Sequence, residues 1–110
     1  MDERLAQARA FMQDHLNIGL RAETVAAHLH LSCSRFVHWF VEVAGQPYSA
    51  ELRQLVMARA SELLLHSSKP ITAIAMDLGF ASPASFTTAF GRQYGMPPAH
   101  WRRAMASAGE

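Results

Sequence analysis

Two stretches of this 110-residue chain repeat one another, and the repeat constrains the fold more than any other feature. Val25, Ala26 and Leu29 recur 49 positions later as Ile74, Ala75 and Leu78. One residue, Ala81, is then inserted. Beyond it Ser32, Phe36, Phe40, Gly45 and Pro47 recur 50 positions later as Ser82, Phe86, Phe90, Gly95 and Pro97. The residues that repeat are those that pack or terminate helices, and those between them differ. A duplicated scaffold with diverged surfaces has this form.

Each copy reads as a short helix, a tight turn and a longer helix, the layout of a helix-turn-helix. Small Ala26 and Ala75 let the two helices approach, Leu29 and Leu78 plug the angle, and Phe36 and Phe86 anchor the second helix from inside. The turn calls for a left-handed residue. Gly79 adopts that conformation without a steric penalty, and His30 stands in the same place in the first copy.

Apolar periodicity supplies the remaining elements. Leu5, Ala8, Met12 and Leu16, with Phe11 on the flank, predict an amphipathic first helix over Asp2–Leu16, which Asn17-Ile18-Gly19 ends, with Gly19 as its stop. Further helices are predicted over Ala22–Leu29, over Cys33–Ala44 behind the N-cap Ser32, and over Ser49–His66. The last of these carries Leu52, Leu55, Val56, Ala60, Leu63 and Leu64. A fifth helix spans Ile71–Leu78, and a sixth starts on Ser82-Pro83 and runs to Tyr94. Pro97-Pro98 opens a short final helix through Arg103. No strand-like alternation of useful length occurs. The expected fold is therefore all-α, about seven helices. Two helix-turn-helix subdomains (residues 1–48 and 67–106) are joined by a linker helix (49–66) roughly 27 Å long at 1.5 Å per residue. Such a rod suits two motifs set ~34 Å apart along one face of a duplex. Trp39, Phe40, Phe80, Phe86, Phe90 and Trp101 are expected in the core, with the methionines as filler.

The rest of the composition narrows the function. Cys33 is the only cysteine, which excludes a disulfide framework and a cysteine-cluster zinc site and suits a reducing, cytoplasmic setting. Cys33 near His30 or His38 lacks a third, orienting group for nucleophilic chemistry, and His28 with His30 lacks a ligand set. No catalytic role, metal or cofactor is expected. Charged residues interrupt every apolar run, so no membrane span is expected, and Met1 to Leu5 do not open a signal peptide. The formal net charge is only +1, and Lys69 is the single lysine. That balance argues against strong non-specific binding to nucleic acid, although arginine suits the recognition of phosphates and base edges.

The second helix of such a motif lies in the DNA major groove with its outward residues on base edges. In the first copy the outward set is Ser34, Arg35, Val37, His38, Val41 and Glu42. Arg35 suits a phosphate or a guanine, His38 offers a donor to a base or phosphate, and Val37 suits a thymine methyl. Val41 and Val43 are unusual on an exposed helix end and suggest contact with another surface. In the second copy the set is Pro83, Ala84, Ser85, Thr87, Thr88 and Arg92. Apart from Arg92 it holds no fork-shaped reader, so positioning and shape readout are expected there. The helix starts at Ser32, Thr72 and Ser82 offer backbone amides to phosphates. The alternative is a helical interaction module that kept the fold and lost DNA.

The run Ile71-Thr72-Ala73-Ile74-Ala75-Met76-Asp77-Leu78-Gly79-Phe80, followed by Ser82, Phe86, Phe90, Gly95, Pro98 and Arg102, resembles the AraC-type family of bacterial transcription activators. The resemblance extends from about Leu5 to Arg103, and Ser82 to Phe86 is similar to a variant seen in many members. It implies two motifs on adjacent major-groove segments of double-stranded promoter DNA, contact with RNA polymerase, and a sensor or dimerisation domain upstream in a longer chain. The chain departs from the family pattern at His38 and Val56, where members usually carry Arg, and at Glu51, where an aromatic is frequent. It departs again at Pro83, Ala84 and Thr88, where Gln, Ser or Arg is common.

Overall fold

The computed structural model describes residues 2–108. Among them are seven α-helices: α1 (Glu3–Asp14), α2 (Ala22–His28), α3 (Cys33–Ala44), α4 (Tyr48–His66), α5 (Ile71–Asp77), α6 (Pro83–Tyr94) and α7 (Pro98–Ala108). They form two compact units that divide within α4, between Leu55 and Val56. Each unit holds one helix-turn-helix, α2–α3 in the first and α5–α6 in the second, and the long helix α4 joins them.

The repeated residues do what their spacing predicts. Phe36, Phe40, Phe86 and Phe90 are fully buried, and Ala26, Leu29, Ala75 and Leu78 are buried with them. Truncating one such phenylalanine to alanine costs about 3–5 kcal/mol in a packed core. Ser32 caps α3 by accepting from the Arg35 amide at 3.2 Å, and Ser82 caps α6 by accepting from the Ser85 amide at 3.1 Å. The turn residues share one backbone state, with φ 59° at His30 and 84° at Gly79. His30 is the only non-glycine residue with positive φ among those described, so the first copy holds a side chain in a conformation that costs roughly 1–2 kcal/mol.

Several expectations are corrected. α1 ends at Asp14, not Leu16, and Gly19 is not its stop. The Asn17 side chain accepts from the Gly19 amide at 2.7 Å and its carbonyl accepts from Leu20 at 3.0 Å. The expected break at Asn17-Ile18-Gly19 is thus a turn closed by the asparagine side chain, two residues beyond the helix end. α7 runs on to Ala108, past Arg103. Trp39 and Phe80 are half-buried, and Met76 is 76% exposed. The short helix α5 buries only Ile74 and Ala75, which leaves Met76 on its outer side.

Each unit solves the packing around its second phenylalanine differently. In the second, the Trp101 ring meets Phe90 edge-on, with centroids 5.5 Å apart. Fifty positions earlier stands Glu51, which cannot do this. Tyr48 takes over, edge-on to Phe40 at 5.8 Å, and its hydroxyl donates to the Leu20 carbonyl at 2.8 Å. Burial pushes the Tyr48 phenol up to about 12. Glu51, 5% exposed, accepts two hydrogen bonds from Arg9 of α1, Nε to Oε2 at 2.9 Å and Nη2 to Oε1 at 2.8 Å. The hydrogen bonds from Arg9 hold the Glu51 carboxyl below its ordinary value, outweighing burial, which acts the other way. The same bonds raise the Arg9 guanidinium.

In the second unit a different arginine fastens α7. Arg102 donates from Nε to the Leu64 carbonyl at 2.9 Å, and from Nη2 to the carbonyls of Leu63 at 3.4 Å and Ser67 at 3.3 Å. The last carbonyls of a helix have no partner within it, so this guanidinium caps α4. Tyr94 adds a hydrogen bond from its hydroxyl to the Met57 carbonyl at 3.2 Å.

Candidate nucleic-acid interface

α3 buries Phe36 and Phe40, and this sets what it can present. At about 100° per residue, Ser34, Val37, His38 and Val41 share a face turned away from that pair. All four are exposed, Val37 to 39% and Val41 to 42%. Arg35 lies on the flank of this face, where it lines a shallow pocket with Arg4, Leu31 and Trp39. Glu42 is exposed, one turn on from His38. At the start of α3 the Arg35 amide goes to the Ser32 hydroxyl and the Phe36 amide to the Ser32 carbonyl, which leaves the amides of Cys33 and Ser34 for an anion.

The His38 ring is fixed. Its Nδ1 lies 2.8 Å from the Ser34 carbonyl oxygen, one helical turn back. A carbonyl only accepts, so Nδ1 carries the hydrogen and Nε2 is left facing outward.

α6 presents the same four positions with different chemistry: Ala84, Thr87, Thr88 and Gly91. Ala84 and Thr88 are exposed and Thr87 is half-buried. Thr88 donates its hydroxyl to the Ala84 carbonyl at 3.0 Å. Ser82 and Ser85 are engaged with each other in a capping box, and the Ser85 hydroxyl also donates to the Ser82 carbonyl at 2.8 Å. Pro83 has no N–H, so the Ala84 amide is the one left at this helix start. Arg92 is exposed in the last turn of α6, and Thr72 is exposed in the first turn of α5.

The fold thus brings Ser34, Val37, His38 and Val41 together, while Arg35 stands to one side, lining a pocket with Arg4. Arg4 was not foreseen from the sequence. It comes from α1, and no periodicity within one helix tells which side chain of another will stand next to it. Lys69, the single lysine, is paired with Asp77. Among the described residues no group of His, Cys, Asp or Glu could hold a metal ion, and no helix is long and apolar enough to cross a membrane.

Comparison with known proteins agrees with this arrangement. A family profile described as a helix-turn-helix domain matches residues 25–104. The regulatory protein PocR of Salmonella typhimurium is 33% identical over 102 residues, covering 93% of this chain and 34% of that protein. The transcriptional activator RhaS of Escherichia fergusonii is 30% identical over 102 residues, covering 93% of this chain and 37% of its own length. This chain therefore spans about a third of the length of these relatives. Among solved structures, the DNA-binding domain of AdpA in complex with a target DNA superposes with a TM-score of 0.87 at 29% identity, covering 97% of this chain and 96% of that one. The C-terminal domain of AraT, a response regulator from Geobacillus stearothermophilus, superposes with a TM-score of 0.86 at 30% identity, covering 94% and 86%.

Proposed function

The chain belongs to the helix-turn-helix family whose profile matches residues 25–104, and on that footing we propose that it is a sequence-specific DNA-binding domain of an AraC-type transcription regulator. α3 and α6 each enter a stretch of major groove in promoter DNA. The observation that carries this reading is the exposed face of α3. Ser34, Val37, His38 and Val41 stand clear of a core closed by Phe36 and Phe40, with Arg35 beside them for a phosphate or a guanine. The likeness over 97% of the chain to a domain solved on its target DNA supports it.

The two motifs divide the work. α3 reads bases. α6, through Ala84, Ser85, Thr87, Thr88 and Arg92, with Thr72 and Ser82 at the helix starts, meets phosphates and groove shape. Its partners are double-stranded promoter DNA and RNA polymerase, within a longer cytoplasmic protein that carries a sensor or dimerisation domain, as the length of the relatives suggests.

Selection of bound duplexes from random DNA, followed by anisotropy titration, tests the proposal. A selected site should bind more tightly than random duplex, and affinity should fall steeply with salt as counterions are released. Arg35→Ala should weaken binding. If Arg35 meets only a phosphate, the loss is uniform across sequences and the salt slope falls by about 1. Equal binding of selected and random duplex would overturn the reading in favour of a protein-interaction module.

A further inference from the structure

Three features of the α3 face have a joint chemical meaning. First, Val37 and Val41 are exposed, apolar and one turn apart, about 6 Å along the helix. Nothing else among the exposed residues of this helix is a large aliphatic. Second, the hydrogen bond from His38 to the Ser34 carbonyl fixes Nδ1 as the donor, so the outward Nε2 of the neutral ring is an acceptor. Third, the spacing of 37, 38 and 41 puts the acceptor on the same face as the two aliphatic groups.

The edges of base pairs sort cleanly against such a surface. In the major groove guanine shows only acceptors, N7 and O6. Adenine and cytosine each show an amino donor, and thymine alone shows a methyl group. An acceptor at His38 Nε2 meets an amino group and is repelled by the guanine edge. Two valine side chains gain only where methyl groups stand. Taking DNA binding as proposed above, the geometry points to an A·T-rich first half-site: Val37 and Val41 each cover a thymine methyl, and His38 accepts from an adenine or cytosine amino group between them. Val41 thereby acquires a reading role. His38 acts with the opposite polarity to the donor that its residue type suggests, because its own helix uses the donor.

The valines and the histidine are exposed, so their substitution leaves the core intact. A selected duplex is titrated with the 110-residue chain, and each thymine of the first half-site is replaced in turn by deoxyuridine, which lacks only the methyl. Two replacements should each weaken binding about fourfold, the worth of one buried methyl group. Val37→Ala should abolish the response at one of these positions and Val41→Ala at the other. His38→Arg, which exchanges the acceptor for a fork of donors, should move the preferred base at its position to guanine. Indifference to deoxyuridine at every thymine, or an unchanged base preference in His38→Arg, would overturn the assignment while leaving specific binding standing. Failure to select any preferred duplex would overturn specific binding itself, and this assignment with it.

Discussion

Replacing Arg9 by alanine leaves a buried carboxylate almost alone. The Glu51 side chain is 7% exposed and that of Arg9 47%. After the substitution Glu51 retains only the Gln46 amide, at 3.4 Å. Breaking a fully buried pair costs about 3–5 kcal/mol. The half-exposed guanidinium shares its charge with water, which discounts that figure to about 2 kcal/mol. With a urea slope of about 1 kcal/mol per molar for a unit this small, the midpoint of the first unit should fall by about 2 M. Trp39 fluorescence in a Trp101→Phe background reports that unit. The pH dependence separates charge from packing. In the native protein the carboxyl is held below its ordinary value of 4.5, so its contribution is complete above that value and fades as pH falls through the lower, folded one. In Arg9→Ala burial outweighs the remaining Gln46 hydrogen bond and raises the carboxyl, so its penalty is largest at neutral pH and shrinks as pH falls and Glu51 takes up a proton. The gap between the two proteins should therefore narrow from pH 7 to pH 4. Adding Glu51→Gln to Arg9→Ala should recover about 1 kcal/mol at pH 7. An equal gap at both pH values would refute the reasoning, because lost packing alone does not titrate.

Substitutions at three further positions probe the scaffold. Arg102→Ala should destabilise the second unit by about 1–2 kcal/mol, followed by Trp101 fluorescence, because the Leu64 carbonyl loses its side-chain donor and that of Leu63 keeps only the Ser67 hydroxyl. Arg102→Lys should restore only part of this, having one ammonium in place of a fork. His30→Gly should stabilise the first unit by about 0.5–1 kcal/mol, the left-handed penalty less the added freedom of the unfolded chain, whereas Gly79→Ala should cost the second about 1 kcal/mol. Urea midpoints of the two variants that move in the same direction would contradict a shared turn geometry.

What could be read from the sequence follows what spacing encodes. Phe36, Phe40, Phe86 and Phe90 repeat at helical intervals, so both their helices and their burial were readable, as were the caps at Ser32 and Ser82. The break after α1 was readable as Asn17-Ile18-Gly19, but not the point where the helix stops: it ends at Asp14, capped at His15, because apolar Leu16 keeps the helical spacing past the last helical turn. Glu51 was visible as a departure from the aromatic expected there, but its partner was not. Arg9 is 42 residues away, and only the packed structure brings the two together. Arg4 beside Arg35 is the same kind of case.

The outward faces were legible as lists of residues, and the structure altered what several of them offer. On α6 the hydroxyls of Ser85 and Thr88 both donate to carbonyls of their own helix or its cap, so each can accept from a base amino group as it stands but donates to a phosphate only after giving up an internal bond. On α3 the same kind of internal bond has a different result, because imidazole has a second nitrogen. His38 gives one hydrogen to Ser34 and still has a lone pair directed outward. A threonine back-bonded to its helix is silenced as a donor, whereas the neutral ring of a histidine keeps an acceptor for an outside partner. Duplication therefore supplied two equal scaffolds, and the carbonyls of Ser34 and Ala84, one turn before the middle of each second helix, engage the side chain four residues on with different consequences for what each face offers.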